Sequence, residues 1–572
     1  MDAAKAIISD IFNSVTLVEV PFFQRSYVWK DDLWSRLLDD MEYVVEANKT
    51  HFLGSIILKE EPKPSIGANY AKRYLIIDGQ QRLTTFLIFM KVLSMKKGDE
   101  TAFNMQFRIM GKQIALVHGK NDCEAFEQVM ETTEAAILEN PKQSRIIDAF
   151  NFFVKNINAE KLNYLALVMN VLFVKITLVE GEDEQQIFDT INSLGVNLTT
   201  SELLKNFFFS RETISEYENK WECIFEKDDE TRKYWEKEIE TGRIKRALID
   251  IFFDAYFQLF IQDKRYNITN EDKIMYARVN SISQSYQHFI KNYCGNDKNV
   301  VLAQMKEYAN CFKKSFNPDY CKMGVPACSS IDRLNVIIFG LKTSTLIPYV
   351  LYVAQNVPDE EERNKIYALL EGYIMRRMIV HATTKNYNNT FDSLIMNQVL
   401  DSEDLSKRIL SWNDTTTYLP SDEDIQEGFN SSKLINIQTK GIIYLIESHI
   451  RPANSATALL GFDNYSLEHL MPKKWRNNWS PCDTEELERK RDDILLTLGN
   501  LAIIPQSLNS SIRDAAWAVK VEGAGENKPG LKKCAGGVVT LQQALECMCW
   551  DEDKIQERAD WLCKNALNLW KI

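Results

Sequence analysis

The sequence predicts an α+β protein of several domains, in which two mixed α/β ends flank a helical middle. The chain has 572 residues, which is too long for a single core at ~150 residues per domain. Short apolar runs typical of strands occur near both ends, and long amphipathic runs with few turn residues fill the middle. We therefore place three domains at residues 1–212, 213–440 and 441–572.

Strand and helix signals support this division. In the first domain the runs at 51–58 (HFLGSIIL), 73–77 (RYLII) and 171–180 (VLFVKITLVE) predict short buried strands. The middle domain contains stretches such as KRALIDIFFDAYFQLF, which predict helices. The last domain returns to short strands and loops, with a glycine-rich loop at 522–537 before two helices.

Composition indicates a globular protein of a reducing compartment. The hydrophobic fraction is 45% and the aromatic fraction 11%, which excludes a disordered chain. No run of about 18 apolar residues predicts a membrane span, and the first residues lack the basic segment of a signal peptide. The eleven cysteines are scattered without a CxxC pair, which is typical of reduced thiols. We therefore expect a cytoplasmic protein without a membrane partner.

The net charge of −12 does not by itself indicate a nucleic-acid-binding protein. A local basic surface is nevertheless enough to bind phosphates. Between residues 465 and 540 there are 11 Lys and Arg against 10 Asp and Glu. The acidic bias is therefore almost lost there, which permits DNA binding in the last domain.

Two N-terminal motifs predict an anion site. One is VPFFQRSYVW at 20–29, in which aromatic residues surround Arg25. The other is IIDGQQRLTT at 76–85, which predicts a strand, a turn at Asp78 and Gly79, and a helix that begins near Gln80. A helix N-terminus carries roughly half a positive charge and binds anions, and an arginine adds a planar fork for phosphate oxygens.

Several side chains of the second motif are candidates for this site. Arg82 would bind phosphate, and the hydroxyls of Thr84 and Thr85 would bind a phosphate or a metal. The alternative is a tight strand–helix turn in which Asp78 caps the helix. A third segment at 184–206 predicts two helices around a break at Gly195. It would bring Asn192, Lys205 and Asn206 to the same pocket, or would serve only as a packing unit.

The last domain contains a pattern suited to metal-assisted hydrolysis. Glu468 and His469 end a short predicted strand before a proline turn. A carboxylate in this place can ligate a divalent cation while the imidazole takes a proton from water. Asn500 follows in a turn before the predicted strand LAII, and Asn509 precedes a predicted helix that carries Trp517 and Lys520.

This order of His, Asn and Asn is the layout of a ββα-metal nuclease. Asn500 would accept a hydrogen bond from the His469 ring and fix its tautomer. Asn509 would be the second oxygen ligand beside Glu468, and oxygen ligands favour Mg²⁺ or Mn²⁺ over zinc. The alternative is that the Glu-His pair has no catalytic role.

Basic residues near this pattern predict contacts to a DNA backbone. Three of them follow the proline turn, interleaved with tryptophans, and a fourth lies on the later helix: Lys473, Lys474, Arg476 and Lys520. The alternative interpretation of the first three is a solvated loop.

Together the motifs resemble those of the fused GmrSD-type restriction proteins, which defend bacteria against phages with modified DNA. VPFFQRSYVW, FLGSIIL, IIDGQQRLTT and INSLGVNLTTSELLKN resemble their N-terminal domain. LEHLMPKKW, LGNLAIIPQSLNSS and the pattern of Trp550, Asp551, Ile555, Arg558 and Trp570 resemble their C-terminal nuclease domain. The matches cover about 210 residues at one end and about 130 at the other, and both sets occur in the family's order.

The resemblance implies a ParB/sulfiredoxin-like domain that binds or hydrolyses an NTP, followed by an HNH-type (His-Me finger) nuclease that cuts double-stranded DNA. No GxxxxGK[ST] loop occurs, so the nucleotide would depend on arginine and backbone groups. The resemblance implies Asp in many relatives at the position of Glu468, and the longer Glu side chain can still bind a metal. The nucleotide-binding candidates are Arg25, Asp78, Gly79, Gln80, Gln81, Arg82, Thr84 and Thr85, and the catalytic candidates are His469, Asn500 and Asn509.

Three functions compatible with these motifs can be separated by experiment. The first is DNA cleavage centred on His469. The second is a nucleotide-gated DNA-binding protein that blocks phage replication without cutting, which would need Arg25 and Arg82 but not His469. The third is hydrolysis of nucleotides alone. The sequence leaves open which NTP is used, which DNA modification is sensed, and whether the protein forms a homo-oligomer.

Overall fold

A computed structural model describes most of the chain. The described residues are 2–21, 24, 26–61, 70–178, 199–209, 213–241, 244–277, 282–433, 436–455, 457–506, 514–525 and 528–572. The chain divides into two compact units, one formed by Met1–Trp221 and Asn280–His288 and the other by Glu222–Val279 and Phe289–Ile572.

Twelve strands occur in the described residues. They are β1 (Asp2–Ile7), β2 (Thr16–Glu19), β3 (His51–Glu60), β4 (Lys72–Asp78), β5 (Arg108–Ile109), β6 (Gln113–Ile114), β7 (Leu116–Val117), β8 (Val171–Leu178), β9 (Glu238–Thr241), β10 (Ile244–Ala247), β11 (Tyr465–His469) and β12 (Leu501–Pro505).

The first unit is built on a six-stranded mixed sheet of order β1-β8-β3-β4-β2-β7. The pairs β1–β8 and β3–β4 are antiparallel, whereas β3–β8, β2–β4 and β2–β7 are parallel. The α-helices of this unit are Ile8–Ile11, Asp31–Ala47, Gln80–Lys96, Thr101–Phe107, Cys123–Glu131, Arg145–Asn156, Tyr164–Asn170, Thr200–Phe208 and Ile214–Tyr217.

The helix Gln80–Lys96 is the central element of the first unit. Its apolar run FLIFMKVLSM gives it buried side chains on every face, as expected for a helix enclosed by other elements. It packs against the helices Thr101–Phe107, Cys123–Glu131, Arg145–Asn156 and Tyr164–Asn170. The position of the DGQQR motif is therefore fixed by the core of this unit.

The second unit is mainly helical. Its α-helices are Asp229–Trp235, Leu248–Gln262, Asn270–Tyr276, Asn299–Ser315, Ile331–Asn335, Ile347–Asn356, Glu360–Ile379, Tyr387–Met396, Ser402–Ser411, Asp422–Ser431, Asn436–Ile450, Glu485–Ile494, Trp517–Glu522, Leu531–Ala535, Val539–Leu545 and Glu552–Leu569, while Ile282–Tyr293 runs through both units. The strands β11 and β12 pair antiparallel, with His469 opposite Leu501.

The mixed fold of strands and many helices confirms the fold class at this level. The three strand-like runs form β3, β4 and β8, and LAII forms β12. The helix after the DGQ turn starts at Gln80, as predicted. The division at 212 and 440 stays a prediction. Within the described residues, no helix is both long enough and apolar enough to cross a membrane.

Candidate functional site

The two N-terminal motifs are joined through the side chain of Gln81. Its oxygen accepts a hydrogen bond from the Val28 backbone N–H at 2.9 Å, and its amide donates to the Ser26 carbonyl at 3.3 Å. Gln81 itself is buried. A buried amide with both ends bonded fixes the segment after Arg25 against the start of the helix. Arg25 lies outside the described residues.

Gly79 starts the helix in a left-handed conformation, with φ of +98°. Among the described residues no side chain caps this N-terminus, so the alternative of a capping Asp78 is not what the structure has. Asp78 instead accepts from the Arg82 guanidinium at 2.8 Å, and both side chains are partly exposed. One charged pair therefore lies beside the N-terminus of this helix, an arrangement suited to an anion.

Gly54 in the FLGSIIL motif makes room for Arg82. It has φ of +125°, and a Cβ there would collide with the Arg82 guanidinium. The β3–β8 register shifts at the same place, between Phe52 and Gly54. Sequence reasoning missed this residue, although a glycine inside a strand pattern signals a bulge or a close approach.

Thr84 and Thr85 need correction as nucleotide ligands. Both are fully buried. The Thr84 hydroxyl lies 2.9 Å from His118 Nε2, and Thr85 donates to the Gln81 carbonyl and lies 2.6 Å from the Tyr27 hydroxyl. Their hydroxyls therefore stabilise the interior of the unit. The first turn of a helix presents only some of its side chains outward, and the motif alone does not show which.

The other N-terminal candidates are Gln80 and the residues of the third motif. Gln80 is buried. Thr199 caps the helix Thr200–Phe208 and forms a capping box with Glu202. Asn206 donates to the Glu202 carbonyl within that helix. The rest of the third motif, residues 179–198 with Asn192, lies outside the described residues.

In the C-terminal region, His469 is the last residue of β11 and its ring is half-buried. Among the described residues, none is hydrogen-bonded to the ring. Burial, with a smaller contribution from the cations Lys473 and Lys520, lowers the pKa of His469 to about 4. The imidazole is therefore neutral near pH 7 and able to accept a proton.

Asn500 does not make the predicted bond to His469. It is fully buried, and its oxygen accepts from the Met471 N–H at 2.8 Å and from Trp550 Nε1 at 3.1 Å. Its amide donates to the carbonyls of Met471 and Leu495 at 2.8 and 2.9 Å. Asn500 therefore fixes the chain that follows β11. A sequence alone could not show this, because Trp550 is 50 residues away.

The turn of Asn500 is in turn held by the helix Glu552–Leu569. Arg558, which is buried, donates to the carbonyls of Leu498, Gly499 and Leu501. A Cβ at Gly499 would collide with the Ile555 carbonyl. The pattern of Ile555 and Arg558 thus serves to clamp the LGNL turn.

The predicted metal ligands do not form a complete site in the described residues. Glu468 is buried and bonded to the Lys520 ammonium, and burial raises the pKa of its carboxyl although Lys520 opposes this. Within the described part of the chain, no group of three or more His, Cys, Asp or Glu side chains could hold a metal ion. Glu468 is thus paired with Lys520, and the Mg²⁺ site of Glu468 and Asn509 stays a prediction because Asn509 lies outside the described residues.

Asn509, the second predicted ligand, lies outside the described residues. The helix that carries Lys520 begins only at Trp517, and residues 514–516 before it are not helical.

The four predicted DNA-binding residues separate into two kinds. Lys473 and Lys474 are exposed on the loop after His469, where they are accessible to a phosphate backbone. Arg476 is exposed but paired with Glu488 and Asp492, each at 2.9 Å. Lys520 is buried, so its assignment as a surface DNA contact needs correction.

Comparison with known proteins agrees with these two motif regions. Residues 8–209 match the GmrSD restriction endonuclease N-terminal domain, and residues 419–565 match the GmrSD restriction endonucleases C-terminal domain. A search of the curated proteins finds no match. The two family matches lie at opposite ends of the chain and together cover more than half of it, so the protein is a restriction endonuclease, an enzyme of defence whose substrate is DNA. The chain belongs to the GmrSD restriction endonuclease family.

Proposed function

We propose that the protein is an anti-phage endonuclease that hydrolyses a phosphodiester bond of double-stranded DNA with His469 as the general base. The observation that carries the proposal is the ring of His469, which ends β11 beside the exposed Lys473 and Lys474 and is neutral near pH 7. A neutral imidazole can accept a proton from water, and the neighbouring cations can bind a phosphate.

The residues around the end of β11 bind the DNA backbone and accept one proton. The cations of Lys473 and Lys474 attract the DNA backbone to the end of β11. His469 accepts a proton from water, the water oxygen attacks phosphorus, one P–O ester bond breaks, and the departing sugar oxygen takes up a proton from solvent. The same cations stabilise the negative charge that develops on the phosphate oxygens.

Mg²⁺ or Mn²⁺ is the proposed cofactor of an HNH-type enzyme, and it would stabilise charge on the scissile phosphate. Glu468 is bonded to Lys520, and the steps assigned to His469, Lys473 and Lys474 do not use its carboxylate. An EDTA arm in the cleavage assay tests the requirement directly.

The N-terminal region is proposed to bind an NTP that regulates cutting, with NTP hydrolysis as a further activity of this region. Support comes from the Asp78–Arg82 pair beside the N-terminus of the helix that starts at Gln80. The proposed target is modified phage DNA, which would make the enzyme a modification-dependent, type IV restriction enzyme that acts in the cytoplasm.

The test incubates modified and unmodified phage DNA with Mg²⁺, with and without each NTP. We expect His469→Ala to lower cleavage by ~10²–10⁴-fold without lowering the melting temperature. His449→Ala is the matched control, because His449 is the other histidine of residues 441–572. Unchanged cleavage by His469→Ala would reject the general base. DNA binding without cutting by the wild type would favour a replication-blocking protein, and released phosphate without nicked DNA would favour a nucleotide hydrolase.

A further inference from the structure

The buried lysine next to the proposed general base has two partners, and both belong to the end of β11. The Lys520 ammonium donates to the Glu468 carboxylate and to the His469 backbone carbonyl, each at 2.5 Å. The Lys520 side chain has 0% exposure and that of Glu468 has 9%. An ammonium without contact to water must keep its partners, since an unpaired buried charge is strongly unfavourable.

The peptide group that follows the His469 ring is consequently held on both sides. Its carbonyl accepts from Lys520, and its N–H, that of Leu470, donates to the Asn500 carbonyl at 2.9 Å. Any rotation of this peptide group breaks one of these bonds. The direction in which β11 presents the imidazole is thus fixed by Lys520 and Asn500.

Lys520 is in turn held by its own short helix, Trp517–Glu522. Trp517 stacks on Trp550 with ring centres 5.3 Å apart and donates to the Cys547 carbonyl at 2.9 Å. The helix therefore has a fixed place against the same segment that supports Asn500.

We propose that Lys520 is a positioning residue of the nuclease and that Glu468 is its counter-ion, not a ligand of the catalytic metal. A divalent cation on the Glu468 carboxylate would lie close to a buried ammonium, and the two positive charges would repel each other. Removal of the carboxylate would in turn leave Lys520 with a single neutral acceptor. This inference rests on His469 as the general base and adds what holds that base in place.

A double-mutant cycle tests the pair. The variants are Lys520→Met, Glu468→Gln and the double variant, and Lys564→Met is the control because Lys564 is an exposed lysine of the helix Glu552–Leu569. For each variant, kcat, the KM for DNA, the Mg²⁺ concentration at half-maximal cutting and the melting temperature are measured.

We expect each single variant to lower kcat at least tenfold, with the KM for DNA and the half-maximal Mg²⁺ concentration changed less than twofold. The double variant should lose no more than the worse single variant, and Lys564→Met should match the wild type. Wild-type cutting that needs no Mg²⁺ would also support Glu468 as a counter-ion.

A tenfold rise in the Mg²⁺ requirement for Glu468→Gln but not for Lys520→Met would overturn the proposal. So would losses that multiply in the double variant, or a rise in the KM for DNA as the main effect of Lys520→Met. If a single variant fails to fold, the double variant decides, because it removes both charges together. A double variant that also fails to fold would reject the pairing. Failure of the general base is detected separately, by cutting in His469→Ala.

Discussion

In the N-terminal unit, most polar side chains of the motif around Asp78 point into the protein. The imidazole ring of His469, by contrast, makes no hydrogen bond to the described residues. Gln81, Thr84 and Thr85 are buried and hydrogen-bonded, and Asp78 with Arg82 stays partly exposed. Around His469, the buried polar side chains are those of Asn500 and Lys520.

This difference shows that motif residues have two separate tasks. Some hold the backbone in a required conformation, and others present a group to a substrate. Loss of a residue of the first kind should reduce stability, whereas loss of the second kind should reduce activity alone. The predictions below test that separation, from the largest effect to the smallest.

The largest effect is expected at Asn500. Asn500→Ala leaves the Met471 N–H and carbonyl, the Leu495 carbonyl and Trp550 Nε1 without this partner. Since each unsatisfied buried group costs about 1–3 kcal/mol, the variant should lose at least about 3 kcal/mol of unfolding free energy. Denaturant unfolding measures the loss, with the exposed Asn477→Ala as control. A fully stable but inactive variant would instead show a direct role in chemistry.

A smaller loss is expected for Gly54→Ala. At φ of +125° the new Cβ is strained and also collides with Arg82, so the cost should be about 2–3 kcal/mol. Gly98→Ala is the matched control, because Gly98 also has positive φ but has no neighbour within 4 Å of the added Cβ. Its cost should be about 1 kcal/mol. Thermal melting and NTP binding are measured, and equal behaviour of the two variants would contradict a specific contact with Arg82.

The smallest effect is a dependence of stability on pH through His118. Complete burial lowers the pKa of His118 from 6.5 to about 3. Between these values the unfolded chain binds a proton that the folded chain does not, so stability is complete above pH 6.5 and decreases as the pH falls toward 3. The loss at pH 5 should be about 2 kcal/mol.

The measurement compares melting temperatures of the wild type and His118→Gln at pH 7 and pH 5. Glutamine keeps a polar group near Thr84 but does not titrate, so its melting temperature should fall less on acidification. Parallel curves for the two proteins would show that His118 is not responsible.

Local pattern was sufficient to predict the strands β3, β4, β8 and β12 and the start of the helix at Gln80, since hydrophobic periodicity and glycine turns act over a few residues. The partners of buried polar groups could not be predicted in this way. Lysine is rarely buried without a partner, and the partner of Lys520 is 52 residues away. For the same reason, the burial of Thr84 and Thr85 could not be predicted from the sequence and is visible only in the folded unit.

The clamp on the LGNL turn also has a consequence for protein synthesis. Trp550 and Arg558, which bind Asn500 and the carbonyls around it, are translated 50 or more residues after that turn. A ribosome-bound chain that stops short of residue 552 has His469 but lacks the helix that secures its support. We therefore expect an unfinished copy without residues 552–569 to lack the support of Asn500 and not to cut DNA.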